Sequence, residues 1–206
     1  MSDGKPTPAV GNSQASTNIY AANQAVQCVT LMHIKSMHQH NSLKFWEHDT
    51  VADIKKDRAT VDNMIADISD KVQKGIFDPS QGTESYKRSR KILVESILAA
   101  GNQVGNCDEM TAAAFRYLRD SLNVRPLDWM NQGDNPHQMQ HAFIVIGRPA
   151  GSLPADLDDI HPWPVIKNWG AAAVLCDPYE KKVIATPQEI MKHLAGQFLQ
   201  LWYHED

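Results

Sequence analysis

The chain has 206 residues, of which 42% are hydrophobic and 21% charged, a composition typical of a globular protein with a sizeable core. The formal net charge is −4, and the one basic run, YKRSRK at 86–91, suits a solvated helix face, so the charge pattern does not support nucleic-acid binding. We expect neither a membrane span nor classical secretion, because no apolar run reaches ~18 residues and the N-terminus lacks a signal segment.

The N-terminal region divides into a polar segment and a helical portion. Residues 1–18 are rich in Ser, Thr, Pro, Gly and Asn and are predicted to be disordered. We expect residues 19–206 to form a single domain whose N-terminal portion, about 19–75, is helical. A first helix is predicted over 19–37. A second carries a regular apolar stripe over 51–72, interrupted only by Arg58, which suits either a helical hairpin or association with a partner chain.

The middle of the chain predicts two further helices, one from about 84 to Gly101 and one that begins at Cys107. Asn106 is a suitable N-cap for the latter, and Glu109 completes a capping-box pattern. Beyond it, short apolar runs at 141–147 and 171–178 predict buried strands, with weaker candidates at 124–130 and 181–185.

The remaining segments are a Pro-rich insertion and a closing element. The insertion occupies 148–170, and residues 186–203 are predicted to form a final helix with Thr186 as its N-cap. Helices followed by a small antiparallel sheet and a closing helix indicate an α+β fold.

Three cysteines, at positions 28, 107 and 176, show no paired spacing and no CxxC motif, which is typical of a reducing compartment. Cys107 differs from a buried structural cysteine because it precedes the apolar positions of its helix. A helix N-terminus stabilises a thiolate, but Asp108 and Glu109 beside it oppose that effect. The thiol therefore needs a histidine base to become a nucleophile.

The two clearest strands supply a base and its partner. If 141–147 pairs with 171–177 in antiparallel fashion over equal lengths, His141 stands opposite Asp177, on one face of the sheet. An aspartate in that position fixes the tautomer and orientation of the imidazole. We therefore predict a Cys107–His141–Asp177 triad. His137 is a competing base, but it lies in a turn-like Asn-Pro context before the strand.

The order GNCDEMTAAAF, HAFIVIG and VLCDPY resembles the papain-like and transglutaminase-like superfamily of cysteine hydrolases over residues 100–190. The similarity points to bacterial secreted effectors and toxins, namely YopT-type cysteine proteases and glutamine deamidases. It implies a papain-like fold in which Cys107 attacks an amide carbon, His141 is base and then acid, and Asp177 orients His141. It also implies a protein substrate, with a host protein among the candidates, and export from the bacterial cytoplasm without a classical signal peptide. Two further partners are considered, namely a second copy of the chain bound through its helices, or a chaperone.

An oxyanion hole requires donors beyond the triad. The backbone N–H of Cys107 is one candidate and the side chain of Gln103 is another, although papain-like proteases place their glutamine at a longer spacing. Trp163 and Trp169, in the insertion, belong either to a substrate cleft or, more commonly for tryptophan, to the core.

No metal or organic cofactor is expected. The histidines at 33, 38, 40 and 48 lack the fixed spacing of a zinc site. Protease, deamidase and transglutaminase activities remain open, and a peptidoglycan amidase is a second enzymatic hypothesis. A hypothesis of another class is a non-catalytic binding module that associates through the 51–72 helix.

Overall fold

A computed structural model of the protein describes residues 10–36, 47–149, 152 and 159–206. The described helices follow the predicted order, with a π-helical turn after the fourth and short 3₁₀ turns at Pro79–Gly82 and Trp163–Asn168. Their bounds are α1 Val10–Leu31, α2 Glu47–Gln73, α3 Glu84–Asn102, α4 Cys107–Arg116 and α5 Pro187–His193.

The strands form one antiparallel sheet, which confirms the α+β prediction. Within the described residues the sheet has six strands in the order β3-β6-β1-β2-β4-β5. The strand bounds are β1 Leu127–Gly133, β2 His141–Ile146, β3 Ile160–Pro162, β4 Val174–Asp177, β5 Lys182–Ile184 and β6 Phe198–Glu205.

Alternation along the strands sends apolar side chains to both faces of the sheet. One face packs against α1, α3 and α4, and the short buried side chains of Ala112, Ala113 and Ala114 allow α4 to pack closely among its neighbours. The opposite face, which carries Phe143 and Leu175, packs against α5 and the 3₁₀ turn of the insertion. Strands β2 and β4 are therefore buried on both sides, which accounts for their continuous apolar sequences.

The register of β2 and β4 differs from the predicted one by two residues. Ile144 pairs with Cys176, which puts Asp177 beside Phe143 rather than opposite His141. Because side chains alternate with a period of two, this shift leaves His141 and Asp177 on the same face, as diagonal neighbours.

The predicted closing helix over 186–203 is wrong in its second half. Thr186 caps α5 as expected, accepting a hydrogen bond from the Glu189 N–H, but α5 ends at His193. Gly196 then adopts a left-handed φ of 83°, and the chain continues as β6. In β6 the buried residues alternate with half-buried ones, a period of two that indicates a strand.

The N-terminal segment also differs from its prediction. Helix α1 begins at Val10, so the segment expected to be disordered over 1–18 is helical from that residue onward, and residues 1–9 lie outside the described residues. Asn18 is 1% exposed and donates a side-chain hydrogen bond to the backbone oxygen of Ala172, which fixes α1 beside β4.

The apolar stripe of α2 is covered by the chain itself. Ile54, Val61 and Ile68 are buried, and α2 packs along α3. The alternative of a hairpin is therefore correct for this part of the stripe, and these three side chains are not available to a partner chain.

A buried ion pair fixes the start of the insertion to the sheet. Arg148 donates through Nε and one terminal nitrogen to the two carboxylate oxygens of Asp128, at 2.6 and 2.9 Å. Asp128 is fully buried and also contacts His204 Nδ1 at 2.6 Å. The pair thus lies in a setting where losing one partner leaves a charge that water cannot solvate.

We predict that Arg148→Gln lowers the free energy of unfolding by about 3 kcal/mol, because it removes the guanidinium that binds both oxygens of Asp128 and leaves this buried carboxylate with His204 alone. Chemical denaturation measures the change. The matched control is Arg90→Gln at an exposed helical arginine, for which we expect less than about 0.5 kcal/mol. Equal effects of the two substitutions would contradict the assigned role of Arg148.

Candidate active site

Helix α4 and strand β2 run in the same direction and begin at the same end of the sheet. The hydroxyl of Thr111 donates to the backbone oxygen of Ala142 at 3.1 Å. One helical turn earlier, Cys107 Sγ lies 3.8 Å from the backbone oxygen of Gln140. Four residues of helix and two residues of strand both advance the chain by about 6–7 Å. The first residue of α4 therefore lies beside the first residue of β2, which is His141.

His141 is joined to the end of β4. Its Nε2 lies 2.6 Å from the Oδ2 atom of Asp177, and the Asp177 side chain is 1% exposed. Asp177 also accepts a hydrogen bond from the Glu180 N–H at 2.9 Å, so its carboxylate is held from two directions. A carboxylate fixed in this way holds the orientation of the ring that it contacts.

Cys107 completes a group of three side chains. The sulfur of Cys107 approaches the backbone oxygen of the residue before His141, and His141 itself is bound to Asp177, so the thiol and the carboxylate both act on the pKa of the imidazole. Burial alone lowers the pKa of His141, but the hydrogen bonds and charges of Asp177 and Cys107 outweigh it and raise the pKa to about 10. The structure therefore brings together the three residues predicted as a triad, in a setting that favours an imidazolium beside the sulfur.

The ring of His141 has a further neighbour in Tyr179. Their ring centroids lie 5.6 Å apart in an edge-on arrangement. The hydroxyl of Tyr179 contacts Ser36 Oγ at 3.4 Å, and Ser36 also lies 3.3 Å from the Oδ1 atom of Asn106. Ser36 thus links the turn after β4 to the N-cap of the helix that carries Cys107.

The loop that precedes Cys107 is held by the segment after α1. The Lys35 N–H donates to the Gln103 backbone oxygen at 2.8 Å, and the Gly105 N–H donates to the Lys35 oxygen at 3.0 Å. A Cβ at Gly105 would lie 2.7 Å from Glu109 Cβ and 3.2 Å from Ile34 Cγ2, so this position requires glycine. Glu109 accepts a hydrogen bond from the Asn106 N–H at 2.8 Å, as a capping box predicts.

Gln103 does not resemble an oxyanion donor in this geometry. It caps α3 in the left-handed conformation, with φ 55°. Its side chain is exposed, and the hydrogen bond described above is made by its backbone oxygen rather than its amide. Its predicted role stays a prediction, without a contact in the described residues to support it.

The other candidates lie elsewhere. His137 is exposed in a turn that Asn135 stabilises by accepting from the His137 N–H, so it does not share the position of His141. Trp169 is 1% exposed within the core on the far face of the sheet, which agrees with the core interpretation. The side chain of Trp163 lies outside the described residues. Cys176 is fully buried, and burial raises the pKa of its thiol.

One group among the described residues brings three metal-ligating side chains together. Ligand atoms of His141, Asp177 and Glu180 lie within 4.8 Å of one another. However, Glu180 is exposed and pairs with Lys182 at 2.6 Å, while His141 and Asp177 bind each other. The hydrogen-bonded pair accounts for this arrangement without a metal. Of the four histidines considered above as zinc ligands, His38 and His40 lie outside the described residues.

Comparison of the chain with protein-family models, with curated proteins and with solved structures finds no significant match. None of the helices in the described ranges is long and apolar enough to cross a lipid bilayer.

Sequence reasoning missed Ser36, Tyr179 and Arg58. Arg58 contacts the carboxylates of Asp108 and Glu109 beside Cys107. The one signal in the sequence was that Arg58 interrupts the apolar stripe of α2. This places a charged residue on the face of the helix that packs against the rest of the protein. Ser36 and Tyr179 carry no comparable signal, because serine is a common turn residue and a single tyrosine after a strand has no pattern around it that indicates a partner.

The raised pKa of His141 predicts a pH-dependent stability. The folded chain holds this proton up to about pH 10, whereas an unfolded histidine loses it near 6.5, so the contribution is complete below about pH 6.5 and declines above it. We expect the stability difference between wild type and His141→Gln to shrink as the pH rises through the window from about 6.5 to about 10, with a slope of at most about 1.4 kcal/mol per pH unit.

Chemical denaturation at several pH values measures this difference. His137→Gln, at the exposed histidine, is the control and should follow the wild-type curve. A difference between wild type and His141→Gln that stays constant across the window would contradict a raised pKa.

Proposed function

We propose that the protein is a thiol-dependent amide hydrolase with a papain-like (transglutaminase-like) fold. The observation that carries the proposal is the convergence of three groups: Cys107 at the start of α4 beside the first residue of β2, the imidazole of His141 at that residue, and the buried carboxylate of Asp177 bound to it. A histidine placed between a thiol and a carboxylate has the arrangement of nucleophilic catalysis.

In the proposed mechanism, His141 takes the proton of Cys107, and the thiolate attacks the carbon of a carboxamide or peptide bond. The imidazolium then gives its proton to the departing nitrogen, so that ammonia or an amine leaves and a thioester remains on Cys107. Water, deprotonated by His141, attacks the thioester and releases the acid and the free thiol. An amine in place of water would give transamidation.

The first turn of α4 offers the oxyanion donor. The Asn106 N–H is already bonded to Glu109, so it is not available to substrate. The N–H of Cys107 begins the helix, where backbone donors lack partners within the helix. We therefore assign the developing oxyanion to the Cys107 N–H.

For substrate and setting, we propose a protein substrate and a bacterial secreted effector, on the strength of the sequence resemblance. A surface glutamine would be deamidated, and a peptide bond would be cleaved. A peptidoglycan stem peptide is the substrate of the alternative amidase.

We predict that iodoacetamide labels Cys107 near neutral pH at least about tenfold faster than a free thiol, because the imidazolium favours the thiolate. His141→Ala should remove this advantage. Mass spectrometry of the Cys107 peptide gives the rate, and the half-buried Cys28 in the same protein is the internal control. Labelling of Cys107 no faster than that of a free thiol would overturn the proposed function.

We predict that Cys107→Ala and His141→Ala each lower the turnover of an amide substrate by at least about a hundredfold, with folding retained. The products identify the reaction. Incubation with a panel of proteins distinguishes a gain of about one dalton per glutamine from chain cleavage, and purified peptidoglycan tests the amidase. Turnover that survives both substitutions would exclude this site as the source of activity.

A further inference from the structure

Arg58, on α2, binds the two acidic residues that follow Cys107. Its Nε donates to Glu109 Oε1 at 2.6 Å, and a terminal nitrogen donates to Glu109 Oε2 at 3.2 Å. The same nitrogen lies 3.3 Å from Asp108 Oδ2. These contacts connect α2 to the first turn of α4, the helix that carries the proposed nucleophile, although the two helices are far apart in sequence.

The charge of Glu109 is not solvated by water alone. Its side chain is 4% exposed, and it also accepts the Asn106 N–H. Burial acts to raise the pKa of Glu109, but the hydrogen bond and charge of Arg58 outweigh burial, so the pKa is lowered and the residue is ionised. Two carboxylates in the first turn would work against a thiolate at the same end of α4.

We propose that Arg58 is a positioning residue for the proposed nucleophile: it offsets one of the two negative charges of Asp108 and Glu109 and so allows the start of α4 to stabilise the Cys107 thiolate. This inference rests on the proposed function, because it takes Cys107 to be the nucleophile.

A neighbouring contact holds α2 in the position from which Arg58 reaches α4. The Asn102 side chain donates to both carboxylate oxygens of buried Asp57 at 2.9 Å, which ties α2 to the end of α3.

Several charged groups lie near the start of α4, so the test has to distinguish the effect of the Arg58 charge from the effect of Arg58 in holding α4 in place. Helix α3 supplies Glu95, whose pKa is raised to about 7 by burial, with smaller contributions from Asp108 and Glu109. The charged or titratable groups that surround the start of α4 are therefore Arg58 of α2, Lys91 and Glu95 of α3, Asp108 and Glu109 of α4, His141 of β2 and Asp177 of β4.

The experiment is the pH dependence of Cys107 alkylation by iodoacetamide, followed by mass spectrometry of the Cys107 peptide. In Arg58→Gln we expect the midpoint of the profile to move to higher pH, with a rate about fivefold to tenfold lower at pH 6. In the double variant Arg58→Gln/Glu109→Gln the midpoint should return towards the wild-type value, and the rate at pH 6 should be within about twofold of the wild-type rate. Glutamine keeps the oxygen that caps Asn106 but carries no charge.

Two further variants complete the design. Lys56→Gln removes a positive charge from an exposed site of α2 for which the described residues supply no ion-pair partner, and it should leave the profile unchanged. Asp108→Asn, at a half-exposed carboxylate, should move the midpoint to lower pH, and it tests the same charge effect if Arg58→Gln does not fold.

The outcomes separate the two proposals. A fast wild-type thiol whose profile is the same in Arg58→Gln overturns the role of Arg58 and leaves the triad standing. A slow wild-type thiol overturns the triad. A profile that moves in Arg58→Gln but does not return in the double variant shows that Arg58 acts as a structural tie, which also overturns the charge role.

Discussion

The shared starting point of α4 and β2 is the constraint on which the proposed site depends. Thr111, on the face of α4 that meets β2, fixes the distance between the two elements with a hydrogen bond to Ala142. Cys107 and His141 lie together because each is the first residue of its element. A larger side chain on that face of α4 would move the helix axis and separate the sulfur from the ring, without altering either residue.

The segments before α4 hold in place the end of the sheet at which Cys107 and His141 lie. Lys35 binds the 103–105 loop from one side, Asn102 binds Asp57 on α2, and Arg58 reaches the first turn of α4 from the same helix. A cysteine that begins a helix after a short loop has few neighbours of its own to hold it. The contacts from α2 and from the segment after α1 supply that support, so the N-terminal portion has a direct connection to the chemistry proposed for Cys107.

Much of this arrangement could be predicted from sequence, and the failures have physical causes. The α+β class and the start of α4 followed from periodicity and from the capping residues Asn106 and Glu109. The two-residue error in register did not separate His141 from Asp177 on the sheet, because the pleat repeats every two residues. The final element was wrong because a well-formed N-cap at Thr186 says where a helix begins but not where it ends. Arg58 could not be assigned, since a charge within an apolar stripe does not reveal its partner.

The position of β6 has a consequence for how the molecule is made. This strand comes after the others in sequence, yet it lies inside the sheet, between β3 and β1. Until residues 198–205 leave the ribosome, β1 has hydrogen-bonding groups along one edge without a strand to receive them, and such an edge can pair with another chain. The pairing of β1 with β6 also closes a long stretch of polypeptide, which is slow in folding. A nascent chain of this protein is therefore exposed to aggregation until residues 198–205 have been made, although the described helices have already emerged by then.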